Sequence, residues 1–400
     1  MKKITIRDIE TIVTAPSGVP VIVVKVLTSE PELYGLGCAT YTWRYTAVQN
    51  YINDYLKPLL IGRDVSMIED LWNMMNVNGY WRSGPVGNNA ISGIDMALWD
   101  IKGKVANMPC YQLWGGKSRE YVSIYMHADG KDQFEVHDKA QALYDQGLRH
   151  IRCQLGGYQG TDFANSSVAE SFKGEFYSVK EKINKIPQMF KYLREKMPDD
   201  VEFIYDVHER LDPMDAVNLA KRLEEFNLFY LEDMLPPEQL PWLENIRAQT
   251  TTKLAVGELF TDPSMYLNCI SKRLIDFIRV HPSFIGGITP SLKLANLASF
   301  YDIKTAWHDP ADLAAVGAMA NLHLSVSMNN FGIQEWADRS EPEWDVFPGF
   351  VKPVNGKIYL DDKPGLGIEI DEKEAAKYPC QPSATTWTEA RLYDGTIRRP

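Results

Sequence analysis

Asp206, Glu232 and Glu258 stand 26 residues apart from one another, and each closes a short apolar run: VEFIYD, LFYLE and KLAVGE. Three carboxylates brought to one point repel each other unless a cation lies between them. Hard oxygen donors suit a magnesium-like ion. The same positions could also cap the helices that follow, but constant spacing at three successive strand ends favours a shared metal. Arg279, His308 and Glu335 continue the series at the ends of later apolar runs. A mouth lined by acids, an arginine and a histidine offers cation binding, anion binding and proton transfer at a single place.

The elements that must position these residues are legible as a change of rhythm. Residues 3–14 and 20–28 and the run ending in GLGCAT read as an antiparallel meander, and helical patterns follow over about 46–60, 66–78 and 88–106. This opening stretch, 1–118, is α+β. From 119 to 370 eight strand candidates alternate with helical patterns: 121–127, 150–154, 201–206, 229–233, 253–258, 276–280, 303–308 and 331–335. Eight such units over about 215 residues predict a (β/α)8 barrel, whose active site sits at the C-terminal ends of its strands. The expected fold class is therefore α/β, a TIM-type barrel with an N-terminal capping domain. Residues 371–400 are expected to return and pack on that capping domain. The only long interruption, 155–178, is polar and aperiodic and reads as a lid or a mobile loop.

Bulk composition narrows the function classes. A net charge of −11 leaves no basic surplus for nucleic acid. It does not exclude an anionic substrate, because a bound cation can invert the local field. Five scattered cysteines without a CxxC pair indicate neither a disulfide framework nor a zinc site. No apolar run reaches about 18 residues, and MKKITIRDIE lacks a signal-peptide core. The expectation is a soluble cytoplasmic protein with no membrane partner.

The chain resembles the enolase superfamily, and within it the mannonate dehydratase subgroup of acid-sugar dehydratases. The resemblance spans nearly the whole length. It is carried by AISGIDMALWDIKGKVANMPCYQLWGG, YDVHERL, YLEDMLPPE, AVGE, FIGGIT, WHDPADLAAV, FGIQEW and DDKPGLGIEID. It implies one Mg2+ per subunit on Asp206, Glu232 and Glu258. It implies a small sugar acid as substrate and a homo-oligomer as the assembly. Arg152 matches an arginine that pairs with a catalytic tyrosine, for which Tyr158 is the candidate. His208 and His308 match active-site histidines. His127, Arg279, Asp312, Glu335 and Thr42 match substrate-contacting positions. The implied reaction is removal of the proton α to a carboxylate followed by loss of the β-hydroxyl, giving a 2-keto-3-deoxy acid. Residue by residue, His127 could equally pack, and Tyr41, Trp43 and Arg44 could line the site or pack on the barrel. His281, His323, His137 and His150 read as structural or exposed.

Three positions depart from the subgroup pattern. Tyr158 comes six residues before the aligned position, which holds Ala164. HGPxDLSPV becomes HDPADLAAV, so Asp309 adds a carboxylate next to His308, and Ala314 and Ala315 replace Ser-Pro. Thr42 stands where an asparagine is expected. An extra carboxylate is expected to raise the pKa of His308 and to disfavour an anion. Two alternatives follow: a divergent member with little or no activity on mannonate, or a non-catalytic sugar-acid binder. Racemisation or cycloisomerisation would call for Lys-x-Lys on the second barrel strand, where this chain has Ile-Arg-Cys-Gln.

Overall fold

A computed structural model describes residues 3–156, 177–383 and 390–399. Strands β1 (Ile6–Thr14), β2 (Val21–Thr28) and β3 (Tyr34–Cys38) form an antiparallel sheet in the order β1-β2-β3. A helical stretch over 45–60 covers it, followed by α1 (Ile68–Asn78) and α2 (Pro85–Ala106). Helix α2 lies against β3 at backbone distance. A Cβ on Gly37 would fall 1.9 Å from the Gly93 carbonyl oxygen, so glycine is required on that contact.

Among the described residues, eight parallel strands and eight helices then alternate. Strand β4 (Val122–Gly130) leads to α3 (Gln133–Asp145), β5 (His150–Leu155) to α4 (Val179–Lys196), and β6 (Glu202–Asp206) to α5 (Pro213–Leu223). Strand β7 (Tyr230–Glu232) leads to α6 (Leu243–Arg247), β8 (Leu254–Val256) to α7 (Pro263–Ser271), and β9 (Phe277–Ile278) to α8 (Ile288–Phe300). Strand β10 (Lys304–Thr305) leads to α9 (Ala315–Ser327), and β11 (Gln334–Glu335) to α10 (Glu341–Val346). The ladder runs from β10 through β4 to β11, and a parallel bridge between Thr305 and Phe331 closes the ring. Tyr125, Ile204, Tyr230, Ala255, Phe277, Ala306 and Ile333 meet inside it as a side-chain layer, as a packed barrel requires. The later strands are only two or three residues long, shorter than their apolar runs, because the backbone turns out of the ladder to present the residues that follow.

The capping domain sits over the loops after β8 and β9. Asp95 on α2 accepts hydrogen bonds from the Thr289 amide (2.9 Å) and hydroxyl (2.5 Å) at the start of α8. Trp72 Nε1 donates to the Gly286 carbonyl (2.8 Å), and Asn88 Nδ2 to those of Thr261 and Phe284, each at 2.7 Å.

The tail divides in two. Thr14 Oγ1 donates to the Ala375 carbonyl (2.8 Å) and the Ala15 amide to that of Tyr378 (2.9 Å), on the capping sheet. Farther on, the Tyr177 amide donates to the Arg391 carbonyl, and Arg398 binds the Arg210 carbonyl and Asp212. The end of the tail thus lies on barrel loops, not on the capping domain as expected. The five cysteines are unbridged, and no described helix is long and apolar enough to cross a membrane.

Candidate active site

Strand register assembles the first part of the site. Asp206 pairs with Glu232 on adjacent strands, and His127 pairs with Arg152. Glu258 lies two residues beyond β8, after Gly257 at φ +135°. The Asp233 carboxylate accepts from the amides of Gly257 (2.9 Å) and Glu258 (3.3 Å), and so holds that turn in place. Beyond β6, His208 and Glu209 both have positive φ, 54° and 63°. Such a pair costs on the order of 1–3 kcal/mol per residue. The Asp206 Oδ1 atom, accepting from the His208 amide at 2.8 Å, helps hold it. From this backbone the His208 ring reaches Glu258.

A chain of charged hydrogen bonds crosses the floor. Arg152 donates from Nη1 to Asp206 (3.1 Å) and from Nη2 to His127 Nδ1 (3.1 Å). Arginine has no acceptor, so His127 carries its proton on Nε2 and donates it to Glu335 Oε1 at 2.8 Å. Arg279, fully buried, donates from Nη2 to Glu335 Oε2 (2.7 Å) and from Nε to Glu232 Oε1. Burial alone would raise Glu335, but the Arg279 charge and the hydrogen bond from His127 outweigh it and hold that carboxyl well below the ordinary range. Glu232 and Glu258 go the other way. Burial and the neighbouring carboxylates, Asp206 and Asp233 among them, push both well above the ordinary range, with Arg279 opposing.

Ligand atoms of Asp206, His208 and Glu258 fall within 4.8 Å of one another, as do those of Glu232, Asp233 and Glu258. Glu232 Oε2 is buried without a hydrogen-bond partner among the described residues. A buried acceptor left open, beside carboxylates that repel each other, fits a hard divalent cation. Imidazoles flank Glu258 on both oxygens: His208 Nε2 lies 3.5 Å from Oε1, and His308 Nε2 lies 3.3 Å from Oε2. Burial pushes His308 well below the ordinary imidazole range, favouring the uncharged ring.

The structure reverses the expectation for Asp309. Its carboxylate turns away from His308 into a buried pair with Arg339 Nη2 (3.0 Å) and accepts from Asn321 (3.4 Å) and Gln334 (3.3 Å). His308 is lowered, not raised. Asp309→Asn is therefore expected to cost about 1–3 kcal/mol of stability by weakening the Arg339 pairing, while the pH profile of turnover stays put. Chemical denaturation and a pH–rate series check both halves.

Thr42 comes close to the loop after β10, but its hydroxyl is engaged by backbone, 3.0 Å from the Pro20 carbonyl and 3.1 Å from that of Asp312. Asp312 is partly buried there. Burial raises its carboxyl to about 6. Ala314 and Ala315 are buried at the start of α9. Tyr158 lies outside the described residues. Sequence reasoning missed Asp233, whose signal was an acid directly after a candidate ligand. His281 was read as structural or exposed, and its burial and hydrogen bond from the Ser283 amide fit the structural reading. The structure places that ring, nearly fully buried, 5.6 Å from the His308 ring.

Residues 135–374 match the model described as enolase C-terminal domain-like. Residues 2–115 match the N-terminal domain of mandelate racemase / muconate lactonizing enzyme. A D-galactonate dehydratase family member of Enterococcus gallinarum is 48% identical, over the full length of both chains. One from Salmonella virchow is 47% identical, also over both full lengths. Among solved structures, an enolase from Pantoea ananatis with bound D-gluconate and Mg superposes with a TM-score of 0.96 at 46% identity, covering 99% of this chain and 100% of that one. The Enterococcus gallinarum and Salmonella virchow relatives carry the galactonate name, where the motifs had pointed to the mannonate subgroup. With this barrel, this cap and this ring of acids, the chain belongs to the enolase superfamily, in the D-galactonate dehydratase family.

Proposed function

We propose that the protein is a Mg2+-dependent dehydratase of a sugar acid. The substrates meant are six-carbon aldonic acids such as gluconate, galactonate or mannonate, converted to 2-keto-3-deoxy acids. The observation that carries this reading is Glu258 with an imidazole on each carboxylate oxygen, beside Glu232 with an open buried acceptor. Asp206, Glu232 and Glu258 would hold one Mg2+ per subunit, and the D-gluconate and Mg of the Pantoea ananatis structure support that assignment. When bound, the cation supplies electrophilic stabilisation of the charge that builds on the substrate carboxylate as the α-proton leaves.

The chain's own groups divide the remaining work. Arg279 locks Glu232 and Glu335 in place, and Arg152 does the same for Asp206 and His127. His308 is proposed to protonate the departing hydroxyl with a proton taken up from water beforehand, while His208 faces it across Glu258. Each such transfer is typically worth about 10²–10⁴-fold. Tyr158, with Arg152, remains the proposed partner for the α-proton, and His127, Asp312 and Glu335 are proposed to meet the substrate hydroxyls. The enzyme is proposed to work as a homo-oligomer in the cytoplasm. A panel of aldonic acids with Mg2+, assayed for 2-keto acid, tests the reading. Ligand-induced thermal stabilisation without keto acid from any member would favour a sugar-acid binder instead.

Metal should also show in stability. The raised carboxyls of Glu232 and Glu258 make the metal-free fold bind protons that the unfolded chain has already released. Its stability is then fullest below the ordinary carboxylate range and is lost as pH climbs toward the raised values. Mg2+ replaces those protons. The expected result is a Tm increase with Mg2+ that is larger at pH 8 than at pH 6. Equal shifts at both pH values would contradict the proposed ligands.

A further inference from the structure

We infer that His281 is a positioning residue whose ring forms the wall against which His308 is held, itself braced from the capping domain through Phe284 and Tyr41. This rests on the proposed role of His308 for its functional consequence, but not for its geometry.

The His308 ring has few polar restraints. Its Nε2 lies 3.3 Å from Glu258 and 3.9 Å from Glu335, whereas its Nδ1 is buried without a hydrogen-bond partner among the described residues. A ring with an unbonded nitrogen is oriented by what it packs on. His281 supplies that surface, with its ring centroid 5.6 Å away and inclined at 53°.

His281 is itself well fixed. Its Nδ1 accepts from the Ser283 amide at 3.2 Å, and its carbonyl accepts from the Phe284 amide at 2.9 Å, closing a tight turn after β9. Because Nδ1 accepts, the neutral ring carries its proton on Nε2. Burial pushes this imidazole down to about 3, so it adds no positive charge against His308. The Phe284 ring meets it edge-on at 4.5 Å, and Tyr41 meets Phe284 edge-on at 5.4 Å. Asn88 of α2 holds the Phe284 carbonyl at 2.7 Å. An aromatic row thus runs from the capping loop to His308. None of this was visible in the sequence, where Tyr41 and His281 are 240 residues apart.

Two variants separate the ring from the hydrogen bond. His281→Asn removes the wall but leaves an oxygen to accept from Ser283. His281→Phe keeps the wall and loses that acceptor. Crystal structures of both, metal-free, give a readout independent of turnover. The expected result is a displaced His308 ring in the Asn variant and an unmoved ring in the Phe variant. In the sugar-acid assay the Asn variant should lose kcat on the order of 10²-fold, the scale of a misplaced group, with KM little changed. The Phe variant should stay within about tenfold of wild type. An unmoved His308 in the Asn variant, or displacement only in the Phe variant, would overturn the inference. If wild type converts none of the sugar acids, the dehydratase reading fails and the crystallographic comparison still decides the role of His281.

Discussion

Glu232→Gln is expected to abolish 2-keto acid formation while leaving the fold intact. The loss should exceed the roughly 10–100-fold typical of groups one layer out from a metal. The reason is directional. Arg279 Nε donates to Oε1 of this side chain, so the variant must keep its amide oxygen there. That places the amide nitrogen where Oε2 now stands, buried and beside Glu258 and Asp233. An N–H group cannot ligate a cation and points its positive end at one. The variant should therefore also lose the Tm increase that Mg2+ gives the wild type. Steady-state assays with a responsive sugar acid, alongside melting curves with and without Mg2+, check both consequences. Activity within tenfold of wild type would remove Glu232 from the proposed ligand set.

The largest effect on stability is expected from Arg279→Met. Arg279 is wholly buried and is the cation between Glu232 and Glu335, which are buried as well. Its own charged form is held well above the usual range by those two carboxylates, against the opposing cost of burial. Methionine fills much of the volume but leaves both acids without this partner. Breaking a buried pair from one side costs about 3–5 kcal/mol. Here Glu335 loses its counter-charge and Glu232 its hydrogen-bond donor, so a loss within that range is expected in urea denaturation of the metal-free protein. Arg279→Lys should lose less stability, since it keeps the charge, yet one ammonium cannot reproduce the fork that reaches both acids. A loss below about 1 kcal/mol for the methionine variant would show that the carboxylates relax or take up protons without this arginine.

Much of the site was readable from residue type and spacing. Asp206, Glu232 and Glu258 sit at the ends of β-prone runs, and barrel geometry brings successive strand ends together whatever the rest of the chain does. The same logic placed Arg279, His308 and Glu335. Motif resemblance added His127, Arg152 and His208, which the strand register and the loop after β6 bring to the same mouth. What spacing could not supply was the direction of a side chain at a loop position. Asp309 follows His308 immediately, and proximity in sequence implied proximity of charge. The Asp309 side chain instead pairs with Arg339, away from His308. Thr42 is a similar case, since its hydroxyl is taken by two carbonyls that no local pattern reveals.

By itself, the sequence determined the barrel, its cap, the order of the strands and the three acids at successive strand ends. Those follow from periodicity and from repeated strand–helix units, which are local properties. Only the tertiary structure decided which charges face one another. The Arg152–His127–Glu335–Arg279–Glu232 chain links strands β4, β5, β7, β9 and β11 across the barrel. Burial lowers His308, and the His281 ring beside it meets Phe284, whose carbonyl is held by Asn88, nearly 200 residues earlier in the chain. Desolvation and long-range packing set these properties, and neither is encoded within a window of sequence.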